Sequence, residues 1–191
     1  MGTVERSIEI DVPLSVAYNQ WTQFEDFPRF MEGVEEIRQI NDSHLFWRVK
    51  LAGVTREFHA EIVEQRPDER IAWRSSEGVM HAGVATFQRI GADRTRIMVQ
   101  IREEPDGVTE RLGEAVGMLD RRVKGDLERF KELLESRGSE TGAWRGQIDR
   151  HGARRFDRGD EAPADADTIA APTEATAGGP GPTPIRRQGG F

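Results

Sequence analysis

His59 stands between Glu57 and Glu61 in the run "TREFHAEIVEQ", the densest titratable cluster of this chain. An imidazole flanked by carboxylates has the composition of a general base, provided all three groups face a substrate. Their two-residue spacing puts them on one face of a strand, with Phe58, Ala60 and Ile62 on the other. That alternation describes a solvated sheet face. His44 neighbours a turn and His81 flanks a strand, and neither has a partner at metal-ligand spacing. Ser75-Ser76 reads as a strand end rather than a nucleophile, and "GEAVG" lacks the glycine pattern of a phosphate loop. The residues therefore nominate no catalytic group, no metal ligand and no cofactor.

Arg56 is the one charge out of place. It shares the face of Phe58, Ala60 and Ile62, which points it inward near a hairpin end. At the mouth of an apolar cavity a guanidinium binds a ligand carboxylate or phosphate well. On a sheet edge it merely snorkels to solvent. The sequence leaves both fates open.

The elements that position these residues follow from periodicity. Residues 3–10 alternate as a first strand, and "DVPLSVAYNQW" reads as a helix start with Pro13 at an opening position. The stretch "YNQWTQFEDFPRF" places aromatics at every third position: Tyr18, Trp21, Phe24, Phe27 and Phe30. Three α-helical residues turn 300°, so five such rings wander around the helix. A 3₁₀-helix would align them, but long runs of it are uncommon, and Pro28 disfavours a helical Phe27. The spacing predicts a broken pair: a helix to about Trp21, a bend through Phe24–Asp26, and a short turn around Pro28–Met31. Its rings either fill core or line a ligand site.

From Gly33 to Glu103 the period is two, over six segments joined by short turns such as Ala52-Gly53 and "RPDER". With the first strand they predict an antiparallel sheet with one wet face. From about Gly107 to Arg137 the period becomes helical, with Leu112, Val116, Leu119, Val123, Leu127, Phe130 and Leu134 on one stripe and Gly138 after it. Gly113 and Gly117 in its first half predict a bend, a close backbone approach or mobility there.

Residues 138–191 hold ten glycines, five prolines and nine alanines, which cannot bury enough apolar surface to offset ordering. The expected division is a domain of residues 1–137 and a mostly disordered tail of residues 138–191. Trp144 and Ile148 within that tail either dock on the domain or form a motif for a protein partner. The net charge of −7 disfavours nucleic acid and an anionic membrane surface as partners. No apolar run is long enough for stable membrane insertion, cysteine is absent, and the opening "MGTVERSIEI" has no apolar core of a signal peptide. The expectation is a cytoplasmic protein.

The order of these elements, together with Trp21, "DFPRFM" (26–31), Gly33-Val34, "AWRS" (72–75), Thr86-Phe87 and "RVKGDLERFKELLE" (122–135), resembles the START-related (SRPBCC) superfamily. That group includes polyketide cyclase/dehydrase-like, coenzyme Q-binding START-like and pollen-allergen-like proteins. The resemblance covers residues 3–137. It implies an α+β helix-grip fold: a seven-stranded curved antiparallel sheet wrapped on a long C-terminal helix, with two short helices after strand one and a hydrophobic cavity between the layers. The resemblance implies a bound lipid, quinone, polyketide or hormone, with catalysis in a minority of members. Because the residues nominate no catalytic group, the expected function is non-enzymatic binding or transport of a hydrophobic small molecule. A polyketide cyclase/dehydrase acting in the same cavity and an adaptor using the tail are the alternatives. The residues expected to line the cavity are Trp21, Phe27 and Phe30 from the broken pair, Trp47, Phe58, Trp73 and Phe87 from the sheet, Met118 from the helix, and Arg56 at its mouth. A cyclase would need a further inward His, Tyr or Arg, which the alternation supplies only as Arg56.

Overall fold

Apolar residues at alternate positions build the expected sheet. The computed structural model describes residues 2–51, 53–76, 81–103, 112–149 and 152–154. The strands are β1 (Gly2–Ile10), β2 (Val34–Gln39), β3 (His44–Leu51), β4 (Val54–Arg66), β5 (Arg70–Ser75), β6 (His81–Gly91) and β7 (Arg94–Glu103). Strands β2 to β7 form a meander of sequential antiparallel neighbours, and β1 closes the far edge against β7, with Val4 opposite Ile101 and Ile10 opposite Thr95. β1 and β2 do not pair with each other, so the sheet stays open.

Between β1 and β2 the chain forms α1 (Leu14–Trp21) and then a 3₁₀-helix over Phe24–Arg29. The expected bend and separate turn are thus one continuous 3₁₀ run, with Pro28 inside it. Three residues per turn align Phe24 with Phe27, which an α-helix cannot do, and both rings are buried. Burial of that aligned pair outweighs the poorer hydrogen-bond geometry.

The long helix α2 is described over Leu112–Arg137, and the expected start near Gly107 lies outside the described residues. Leu119, Val123, Leu127, Phe130 and Leu134 are buried, as the stripe requires. Its polar flank is tied to β1: Arg6 pairs with Asp120, Lys131 Nζ donates to the Glu9 carbonyl at 2.9 Å, and the Asp11 amide donates to Glu135 at 2.8 Å. A second set of bonds holds the chain after the 3₁₀-helix, where Arg129 donates to the Phe30 carbonyl at 2.7 Å and the Glu32 amide donates to Asp126 at 2.8 Å. At Gly117 the space where a Cβ would lie is open, so no close backbone approach explains that glycine. Gly138 ends the helix with φ of +68°, its amide donating to the Leu134 carbonyl.

The expected boundary at Gly138 falls too early. The chain divides into Met1–Asp157 and Arg158–Phe191, and the second unit lies outside the described residues. Residues 140–149 fold back over α1 as a strap. Thr141 and Gln20 exchange hydrogen bonds, the Trp144 amide donates to Thr22 Oγ1 at 3.0 Å, and its indole donates to Asp42 at 3.3 Å. Arg145 forks onto Asp68 and donates to Asn19. β8 (Gln147–Asp149) pairs with β4 at Gln65–Ile148, burying Ile148, and with β9 (Gly152–Arg154). Composition misjudged this segment because its few apolar and amide-pairing residues sit opposite buried polar groups of α1 that need partners.

Candidate functional site

The inner face of the sheet runs from a closely packed end to one whose described side chains are only half-buried. At the closely packed end the rings of the 3₁₀ region meet those of β6 and α2. Trp21 stands edge-on to Phe27, Phe87 and Phe130, with centroids 5.8, 5.9 and 5.0 Å apart, and Phe30 lies 4.9 Å from Phe130. All five are buried. Edge-to-face contacts of this kind add about 0.5–1.5 kcal/mol each beyond area burial. Four of the nominated residues, Trp21, Phe27, Phe30 and Phe87, therefore form an aromatic plug in the core. Tyr18 joins it at 5.5 Å from Phe87 and accepts a hydrogen bond from buried Gln65. Burial pushes its phenol up to about 12, which keeps it protonated and committed to that pair.

Away from the plug, burial falls in the same direction along several elements. On β6, Phe87 and Ala85 are buried and His81 is half-buried. On β7, Ile97 and Val99 give way to half-buried Ile101, and on β4, Ile62 and Ala60 give way to half-buried Phe58 and Arg56. On α2, Leu119 gives way to half-buried Val116. The register brings these ends together, since Val4 opposes Ile101 and Trp73 opposes both Ile62 and Gly83. The half-buried end thus comprises the starts of β4 and β6, the end of β7 and the first described turns of α2.

Here the remaining nominated rings meet. Trp47 stacks on Phe58 with planes 9° apart, Phe58 lies 6.3 Å from His81, and Trp73 lies 6.4 Å from His81. Trp47 also touches the plug through Phe27 at 6.0 Å, so one chain of rings links the two ends. Trp73 lies against the sheet only because its partner is Gly83: a Cβ there would meet indole atoms at 2.6 and 2.8 Å. The indole N–H groups of Trp21, Trp47 and Trp73 are buried and make no hydrogen bond among the described residues. Each such orphan costs about 1–3 kcal/mol. Arg56 sits half-buried opposite Val49, on the inward face as its parity predicts. Met118 is not brought to this group. It is 58% exposed, because one residue's 100° rotation carries it off the stripe that buries Leu119.

His81 is an inward polar group that the two-residue spacing also holds, although its place in the sequence reads only as a strand flank. It follows the same two-residue alternation as Gly83, Ala85 and Phe87, which was the available signal for an inward imidazole. Burial, reinforced by the nearby Arg122 cation, lowers its pKa from 6.5 to about 4. At neutral pH it is an uncharged donor–acceptor among aromatic walls. The other cluster lies on the outer face, where Arg48 pairs with Glu57 at 2.8 Å, Arg74 pairs with Glu61 at 2.9 Å, and His59 rests on Phe46. No group of three or more His, Asp or Glu among the described residues could hold a metal ion. No helix among them is long and apolar enough to cross a membrane.

With this geometry in place, the comparisons with known proteins fall together. The family described as polyketide cyclase/dehydrase and lipid transport matches residues 10–132. An uncharacterized 17.2 kDa protein of Streptomyces lincolnensis is 53% identical over 149 residues, 78% of this chain and 99% of that one. Among solved structures, one from Thermus thermophilus aligns with a TM-score of 0.62 at 19% identity, over 72% of this chain and 99% of its own. A START superfamily protein from Mycobacterium smegmatis aligns with a TM-score of 0.54 at 16% identity, over 72% and 97%. The ZhuI aromatase/cyclase of Streptomyces sp. R1128 gives 0.55 at 14% identity, over 71% and 92%. The fold is the helix-grip of START-like proteins, as the sequence order implied.

Proposed function

This chain belongs to the polyketide cyclase/dehydrase and lipid transport family, and from that premise we propose that it binds a hydrophobic small molecule at the half-buried end of its sheet–helix layer. One observation carries the reading. Burial falls off in concert on β4, β6, β7 and α2, leaving Ile101 and Val116 half-buried and half-buried Phe58 and Trp73 in contact with a neutral imidazole. Mostly apolar walls with a few placed polar groups are what small-molecule sites present. The bound molecule is a lipid, a quinone or a polyketide-like compound.

His81 favours a second reading, catalysis of dehydration or cyclisation on the same ligand. An inward imidazole can accept an α-proton from a bound β-hydroxyketone and return it to the departing β-hydroxyl, which leaves as water as the conjugated enone forms. A pKa of about 4 makes it a weak base at neutral pH, more than two units below the optimum for that work, so carriage ranks first.

Native mass spectrometry of the intact chain, purified without denaturation, tests the proposal. A co-purifying apolar adduct that denaturation releases is the expected result. A chain that shows only its own mass and takes up no hydrophobic probe overturns it. Turnover of a β-hydroxyketone, lost in His81→Gln with folding intact, would move the conclusion from carriage to catalysis.

A further inference from the structure

The ring chain at the half-buried end carries two hydrogen-bond donors that no described residue accepts from. Trp47 Nε1 and Trp73 Nε1 are both buried and bond to no described residue, and their rings are the two ends of a contact chain that runs Trp47–Phe58–His81–Trp73. A purely hydrocarbon ligand leaves those donors unsatisfied, and a ligand with an acceptor oxygen relieves them. We infer that the site selects ligands bearing a neutral carbonyl oxygen, held by the indole N–H of Trp47 or of Trp73 beside His81, over hydrocarbon ligands of the same shape. This rests on the proposed binding site and adds its chemical selectivity.

Three features point to a neutral acceptor. The two indoles are uncharged donors. His81 is uncharged at neutral pH and so can donate or accept one hydrogen bond. The walls between them are aromatic, and a buried anion pays a far larger desolvation cost than a carbonyl. Trp21 has the same orphan N–H, but its neighbours are the plug rings, so it serves as an internal control. Trp144 is a second control, since its indole already donates to Asp42.

The test uses two bicyclic probes that differ by one oxygen, 1-tetralone and tetralin, with the ¹⁵N-labelled full-length chain. The four tryptophans give four indole N–H resonances, assigned through single Trp→Phe variants. Tetralone should move the Trp47 or Trp73 resonance downfield and leave those of Trp21 and Trp144 in place. Calorimetry should give tetralone about a tenfold tighter affinity than tetralin, the worth of one well-made hydrogen bond to a buried donor. Of Trp47→Phe and Trp73→Phe, which keep the ring and remove the donor, the one at the shifted indole should shrink that ratio. The resonance shifts are read on the unmodified chain, so the test survives a variant that fails to fold. Equal affinity for both probes, with no selective indole shift, overturns the selectivity and leaves the hydrophobic site standing. Binding of neither probe overturns both.

Discussion

Trp73 and Gly83 face each other directly across β5 and β6, and the indole occupies the space a side chain at position 83 would need. The site's half-buried tryptophan is therefore set by the absence of one methyl group on the next strand. Gly83→Ala should displace the ring and destabilise the fold by about 1–3 kcal/mol through overpacking. A lower urea midpoint with an unchanged slope checks the stability. Probe binding at Trp73 should weaken in the same variant.

His81 makes stability depend on acidity. Its pKa is about 4 in the folded chain and 6.5 when exposed, so the unfolded state takes the proton first as pH falls. Above pH 6.5 the residue is neutral in both states and contributes nothing; between 6.5 and about 4 the folded state loses stability, by about 3 kcal/mol at the end of that window. His81→Gln has no proton to take up. The difference between the two unfolding curves should open only as pH drops below 6.5, and a constant difference would contradict the buried neutral imidazole.

Phe30 and Phe58 were nominated together, but the structure gives them different work. Phe30 is packed in the plug against Phe27 and Phe130, so Phe30→Ala should cost about 3–5 kcal/mol. Phe58 is half-buried, and Phe58→Ala should cost roughly half as much while removing more of the probe affinity. Met118→Ser, at an exposed position, should change stability by less than about 0.5 kcal/mol. Paired unfolding and calorimetric titrations of the three variants separate core from site.

Ile148 tests the strap. It is 3% exposed against β4, and Ile148→Ala should cost about 2–4 kcal/mol, as a core aliphatic does. A surface-like effect in thermal or urea unfolding would return this segment to the tail that its composition suggests.

The sheet and the long helix were legible because their evidence is local. Alternation from Val34 to Glu103 and the stripe from Val116 to Leu134 each record one face meeting one core, and each is complete within its own element. Parity likewise placed Arg56 inward and the Glu57–His59–Glu61 cluster outward, and it contained the signal for His81 as well. What only the tertiary structure decided is which end of the layer is closely packed and which is left half-buried. The plug needs rings from the 3₁₀-helix, β6 and α2 to meet, and the strap needs Gln20 and Gln65 to present buried partners far away in the chain. The depressed pKa of His81 and the orphan indoles arise the same way, from desolvation by residues on different strands and the helix, and no spacing along one segment records that.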